Sequence, residues 1–216
     1  FEARELEKEF LLRRQDADIQ RHAEAATAVV AKADSLIAHL TNADLKAKTE
    51  ALRTAVADYA QQFAKAGAAQ KTLGLDQDSG LLGKLRLATD AVEKRLDDHD
   101  EIRLSNLILM MRRQEKDFLL TGDPKYKEMV LETSREFNQM MTIAKLSPAM
   151  RDDVTNKINN YQKDFAGMVD GHVALQAGLR ALNASYKQIQ AALPQMIGAI
   201  RAEVQTVNDE MKSLQS

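Results

Sequence analysis

The chain has 216 residues, a net charge of −2, and only three prolines and nine glycines. Alanine, leucine, lysine, glutamate, glutamine and aspartate dominate, which is the composition of an all-α protein. The near-neutral charge and the lack of a basic stripe argue against a nucleic-acid binder, and the absence of cysteine excludes disulfides and cysteine-ligated metals.

A sequence repeat is the most informative feature of the chain. Residues 7–12, Glu-Lys-Glu-Phe-Leu-Leu, return at 115–120 as Glu-Lys-Asp-Phe-Leu-Leu, each time with an arginine three residues ahead. Tyr59 and Tyr161 occupy matching positions further along. Two copies are too few for a solenoid, so the repeat predicts one closed domain with an internal pseudo-twofold duplication.

Helical periodicity and chain breakers predict six helices, two long and four short. A turn is placed at the aspartate-rich residues 97–100, a kink at 121–124, and a bend near Pro194. The predicted helices cover residues 2–40, 44–73, 81–96, 101–145, 150–179 and 184–216.

The order long, short, short occurs twice, which predicts two stacked four-helix bundles. If the long helices are antiparallel, each contributes one half to each bundle. One bundle then spans residues from about 20 to 122 and consists of the second half of helix one, helices two and three, and the first half of helix four. The other covers about 1–20 and 123–216.

Both chain ends are expected at the same extremity of this arrangement, where two transmembrane helices would attach. No apolar run approaches the ~20 residues that a bilayer span needs, so neither a span nor a retained signal sequence is predicted within the chain. Phe1 and Ser216 fall inside helical patterns without caps, which indicates a piece of a longer protein.

The segment 112–126, Arg-Arg-Gln-Glu-Lys-Asp-Phe-Leu-Leu-Thr-Gly-Asp-Pro-Lys-Tyr, resembles the helical bimodular sensor domain of bacterial chemoreceptors and related sensor kinases. The resemblance covers nearly the whole chain, because the duplication, the length and the predicted helix count all fit. It implies a periplasmic domain of an inner-membrane protein, with 20–122 as the membrane-distal module and the remainder as the membrane-proximal one. It also implies sensing of small carboxylates such as dicarboxylates, acetate or citrate, a helix displacement passed across the membrane, and a homodimer in the full-length receptor.

Arginine is expected to carry carboxylate recognition, because its guanidinium is permanently charged and donates two parallel hydrogen bonds. Arg4 and Arg112 head the two copies, and each shares a helix face with the lysine four residues later. A solvent-exposed helix face remains the alternative for each cation, and core packing is expected of the repeated Phe-Leu-Leu. The predicted ligand-binding residues are Arg4, Lys8, Arg112, Arg113, Lys116, Arg180 and Arg201.

No phosphate loop, nucleophile elbow or metal-ligand spacing is present, so a non-enzyme without metal or cofactor is predicted. Residues 97–100 are better explained as a helix cap than as a metal site. The methionine pairs 110–111 and 140–141 are expected to fill the core. Two alternatives remain: the input domain of a sensor histidine kinase that contacts a periplasmic binding protein, and a structural helical spacer.

Overall fold

The computed structural model describes residues 2–97 and 99–214, and every regular element within them is an α-helix. The predicted all-α class is therefore confirmed, whereas the predicted count of six helices is wrong, since the described residues form seven. The helices are α1 Glu2–Arg13, α2 Asp16–His39, α3 Ala43–Leu73, α4 Gly80–Leu96, α5 Ile102–Thr121, α6 Lys125–Met141 and α7 Pro148–Leu214.

The first predicted long helix is in fact two helices, α1 and α2, that pack against each other. Arg14 has a φ of 53°, in the left-handed region that ends a helix, and its amide donates to the Phe10 carbonyl at 2.7 Å. Arg13 lies in the last turn of α1, and Asp16 and Asp18 lie in the first turn of α2. A cation stabilises the C-terminal end of one helix and the two acids stabilise the N-terminal end of the next, although neither glycine nor proline marks the break.

The predicted kink at 121–124 is also a complete helix end. Gly122 has a φ of 65° and caps α5, with its amide donating to the Phe118 carbonyl at 2.7 Å. Pro124 follows as the N-cap residue of α6. A left-handed glycine and then a proline end the helix, and α5 and α6 pack against each other.

Conversely, the predicted fifth and sixth helices form one continuous helix, α7, which passes through Pro194. No residue between 179 and 184 needs a left-handed backbone, and the alanines and leucines there are good helix formers. The turn predicted at 97–100 is present, because α4 ends at Leu96 and α5 begins at Ile102. Asp98 lies outside the described residues, and the N-cap residue Glu101 makes no side-chain capping bond.

The chain divides into two compact units. The first extends to Gly67 and resumes at Ala177, so it holds α1, α2, most of α3 and the second part of α7. The second, Ala68–Gln176, holds the end of α3, α4, α5, α6 and the first part of α7. These boundaries differ from those near 20 and 122 that the sequence pattern suggested.

Each unit has an aromatic core at matching positions of the predicted repeat. In the first unit, Phe10 meets Phe63 edge to face, with ring centroids 5.5 Å apart. In the second unit, Phe118 meets Phe165 in the same way at 5.7 Å. These contacts confirm core packing for the first residue of each repeated Phe-Leu-Leu.

The last leucine of each Phe-Leu-Leu lies on the surface instead. Leu12 is 84% exposed and Leu120 is 83% exposed. Each lies within the last two residues of its helix, where the chain turns away. The middle leucines, Leu11 and Leu119, are also exposed, at 44% and 50%. The expectation of core packing is therefore wrong for both leucines of each copy.

Candidate anion-binding cleft

A cleft of about 470 Å³ in the second unit is lined mainly by basic side chains. Two of them belong to the last turn of α4, where positive charge is favoured by the helix dipole. A histidine comes from the following turn and a lysine from α7. The lining residues are Ala91, Lys94, Arg95, His99, Met150 and Lys157.

Asp153 is an anion built into this basic surface. Lys157 donates to its Oδ1 at 2.6 Å, and the Arg95 Nε lies 3.2 Å from its Oδ2. The hydrogen bond from Lys157 lowers the pKa of Asp153 below its ordinary value. Asp153 therefore neutralises part of the positive charge that Arg95 and Lys157 bring to the cleft.

Arg4, a predicted ligand residue, lies beside a buried acid in the first unit. It pairs with Glu7, which is 4% exposed and also accepts a hydrogen bond from the Tyr59 hydroxyl. Its guanidinium lies 4.4 Å from the centroid of the Tyr186 ring, a cation–π contact. Arg4 therefore already has an internal carboxylate as its partner.

Arg112 occupies a comparable setting in the second unit. It donates to Glu93 at 2.8 Å and lies 3.4 Å from Asp90. One turn further along α5, Glu115 accepts a hydrogen bond from the Tyr161 hydroxyl at 2.9 Å. Burial raises the pKa of both Glu115 and Tyr161. This predicted ligand arginine is likewise engaged by carboxylates of the chain itself.

The other predicted ligand residues lie on the surface. Lys8 pairs with Glu5 at 3.0 Å, and Arg113, whose side chain is 83% exposed, has Asp117 at 3.9 Å. None of the seven predicted cations lines the basic cleft. The exposed members of the set are Lys8, Arg113, Lys116, Arg180 and Arg201.

Sequence reasoning missed the residues that do line the cleft. Lys94 and Arg95 lie just before the aspartate-rich residues 97–100, whose pattern indicates a helix cap and gives no sign of an anion site around His99. Lys157 lies far along the chain and belongs to no repeated motif. The available signal was a pair of cations at the end of a short helix, which is also the ordinary way to complement a helix dipole.

Among the described residues of the first unit, two buried side-chain polar atoms have no hydrogen-bond partner, Asp18 Oδ2 and His22 Nε2. The two side chains lie one turn apart on α2 and are 2% and 1% exposed. The His22 ring stacks on Phe63 with centroids 3.8 Å apart. Burial lowers the pKa of His22 to about 4.

Within residues 2–97 and 99–214, no group of three or more histidine, aspartate or glutamate side chains is placed to hold a metal ion. No helix of that part of the chain is both long and apolar enough to cross a bilayer. Comparisons of the chain with protein-family models, with curated proteins and with solved structures found no match.

Proposed function

We propose that this chain is the extracytoplasmic sensor domain of a bacterial chemoreceptor and that it binds small carboxylates in the basic cleft. The observation that carries the proposal is the convergence of Lys94, Arg95 and Lys157 on one cavity of about 470 Å³. A concave site with a few cations from different helices is suited to a compact anion. The resemblance of the sequence to helical bimodular sensor domains supports the same class of ligand.

A dicarboxylate or citrate would use the two kinds of cation differently. Arg95 can hold one carboxylate through two guanidinium N–H groups, whereas each lysine acts as a point charge. Lys94 and Lys157 would therefore take the second carboxylate. Ala91 and Met150 would contact the carbon atoms of the ligand.

The long helix α7 would transmit the binding event. It contributes Met150 and Lys157 to the cleft and runs without a break to Leu214. A ligand that attracts Lys157 would displace or rotate this helix, and in a full-length receptor in the inner membrane the movement would pass from the periplasm to the cytoplasmic side. Coupling of roughly 1–3 kcal/mol is the range such switches use.

We further propose that the two units are four-helix bundles that arose from one duplicated sequence. Matching residues make matching hydrogen bonds, since Tyr59 donates to Glu7 in the first unit and Tyr161 donates to Glu115 in the second. The first unit holds α1, α2 and the larger parts of α3 and α7, and the second holds α4, α5, α6 and the first part of α7, so each has four main helical segments. Buried acid–tyrosine pairs cost more to bury than apolar contacts, so their recurrence supports a common origin.

A homodimer is the proposed assembly, and an exposed apolar face of α7 supports it. Apolar residues recur on this face at alternating spacings of four and three, the pattern of a two-stranded coiled coil. Val204, near its centre, is 54% exposed. We call this face the apolar stripe; it comprises Leu193, Ile197, Ile200, Val204, Val207, Met211 and Leu214.

Exposed leucines favour a second candidate function, the input domain of a sensor histidine kinase that contacts a periplasmic binding protein. Leu11 and Leu12 lie exposed at the end of α1, and Leu119 and Leu120 lie exposed at the end of α5. Large exposed apolar side chains are common in protein-binding surfaces. This candidate needs no small molecule in the cleft, and a purely structural spacer needs none either.

Titration of the purified chain with acetate, succinate and citrate tests the first candidate. Binding to the native state raises the melting temperature, so succinate or citrate should raise it and should release or absorb heat in calorimetry. Lys157→Gln and Arg95→Gln should abolish both signals. Arg113→Gln, which removes an exposed cation outside the cleft, is the matched control and should leave both unchanged.

Three results would argue against the cleft. No rise in melting temperature and no binding heat with any carboxylate would favour the protein-partner or spacer candidate. Loss of binding in Arg113→Gln as large as in Lys157→Gln would indicate a nonspecific charge effect. Loss in Arg4→Ala or Arg112→Ala, with Lys157→Gln unaffected, would place the ligand at the arginines that the sequence predicted.

A further inference from the structure

A second cleft of about 380 Å³, between α5 and α6, combines opposite charges with an apolar floor. It shares no lining residue with the basic cleft. One wall residue is cationic, one is anionic, one is an amide and three are apolar. The lining residues are Arg103, Asn106, Leu107, Met110, Glu136 and Met140.

The two charged residues of this cleft are available to a ligand. Among residues 2–97 and 99–214, neither Arg103 nor Glu136 forms an ion pair or a side-chain hydrogen bond, even with the other. Charges elsewhere on the same helices do find partners: Arg112 bonds Glu93, and Lys127 bonds Asp170 at 2.7 Å.

Helix register explains why Arg103 and Glu136 do not meet. The Ser134 hydroxyl approaches the Met111 sulfur at 3.4 Å, which places these two residues side by side on antiparallel helices. With a rise of 1.5 Å per residue, Arg103 and Glu136 are then about 9 Å apart along the helix pair. The space between them lies over the apolar floor.

The floor itself is adaptable. Leu107 is buried, Met110 is 49% exposed and Met140 is half-buried. The expectation that the methionine pairs fill the core therefore holds for the buried Met111 and Met141 but is wrong for Met110. Flexible thioethers suit a surface that accommodates more than one apolar side chain.

We propose that this cleft binds short apolar peptides with free termini. Arg103 takes the terminal carboxylate, Glu136 takes the terminal ammonium, and the apolar side chains rest on Leu107, Met110 and Met140. An extended chain spans roughly 3.3–3.6 Å per residue, so two or three residues cover the axial offset of about 9 Å. The Asn106 amide can both donate to and accept from a peptide bond.

Calorimetry with dileucine and trileucine tests this proposal, and blocked peptides make the test specific. We expect the free peptides to bind, and we expect N-acetylation or C-terminal amidation each to weaken binding about tenfold or more, because each removes one charge-assisted contact. Arg103→Gln should remove the penalty of amidation alone, and Glu136→Gln should remove that of acetylation alone. These matched losses distinguish recognition of the termini from general adhesion to the floor.

Two control variants complete the experiment. Arg135→Gln removes an exposed cation of α6 that lies 3.9 Å from Glu128, and it should leave peptide binding unchanged. Lys157→Gln should also leave it unchanged, which separates this site from the basic cleft. No heat with either free peptide, equal binding of doubly blocked peptides, or an equal loss in Arg135→Gln would overturn the proposal.

Discussion

Burial of His22 disfavours the protonated, charged form of its imidazole ring. Its folded pKa of about 4 lies below the ordinary 6.5, so the unfolded chain takes up the proton first as the pH falls. The stability that the neutral ring provides is therefore present above pH 6.5 and declines down to about pH 4. The decline amounts to at most about 3 kcal/mol.

Replacing His22 tests that pH dependence. His22→Gln should flatten the decline of unfolding free energy between pH 6.5 and 4, measured by urea denaturation at several pH values. His39→Gln is the control, since His39 is exposed and its Nδ1 lies 2.7 Å from the Ser35 carbonyl oxygen in the same helix. An unchanged profile in His22→Gln would mean that other groups cause the acid sensitivity.

Asp153 should decide how the basic cleft discriminates between anions. Its carboxylate already accepts a hydrogen bond from Lys157 and forms an ion pair with Arg95, so a ligand with one carboxylate must compete with an anion held in place by the chain. Asp153→Asn removes about 1 kcal/mol of repulsion at a distance of about 4 Å, so acetate should bind about fivefold more tightly. The gain for citrate should be larger, because its several carboxylates bring more negative charge close to Asp153.

Calorimetry of acetate and citrate with wild type and Asp153→Asn measures this difference. Asp90→Asn serves as the control, because Asp90 lies near Arg112 and does not line the cleft. Equal changes for both ligands, or an equal effect of Asp90→Asn, would contradict a role of Asp153 in selectivity.

At the scale of the helices, Gly122 makes the turn between α5 and α6 possible. Its φ of 65° is strained for other residues, and a Cβ there would lie 3.0 Å from the His172 Nε2. Gly122→Ala should therefore lower the unfolding free energy by about 1–2 kcal/mol. Chemical denaturation measures this loss.

Gly178→Ala is the matched control for that substitution. Gly178 lies inside α7, and a Cβ there would meet nothing within 4 Å. The alanine should raise stability by about 0.5–1 kcal/mol, because glycine is the poorer helix former. Equal effects of the two substitutions would show that the turn conformation does not limit stability.

The helices that sequence reasoning located best are those bounded by strong backbone signals. Gly74 and the polar residues after it end α3, and Pro148 begins α7, close to where they were predicted. The break at Arg14 escaped prediction because it depends on a left-handed non-glycine residue between two helices that pack on each other. Helix propensities describe how well each residue fits an isolated helix. The turn at Arg14 is instead stabilised by the packing of α1 against α2.

At the scale of the whole molecule, the repeat predicted which residues are equivalent but could not predict which segments share a compact unit. The predicted module 20–122 joined α4 to α5 but also to α2 and α3, whereas α4 shares its unit with α5, α6 and the first part of α7. For the same reason the basic cleft was not predicted, since Lys94 and Lys157 meet only once α4 and α7 are in one unit. Spacing along a chain carries no information about such pairs.

The apolar stripe leads to a prediction about assembly. Seven apolar residues over three heptads are near the lower limit for a coiled coil. The chain should therefore dimerise weakly, with a dissociation constant in the micromolar range or above. Sedimentation should show a monomer–dimer equilibrium, and the melting temperature should rise with protein concentration.

A charge at the centre of the stripe should abolish that equilibrium. Val204→Glu would bring two carboxylates together in the seam of a parallel pair, which costs more than the burial of the remaining side chains can offset. Gln205→Glu adds the same charge beside the stripe and should leave dimerisation intact. If wild type and Val204→Glu sediment alike, the stripe is not a contact between copies, and the homodimer of the proposed receptor must form through another surface.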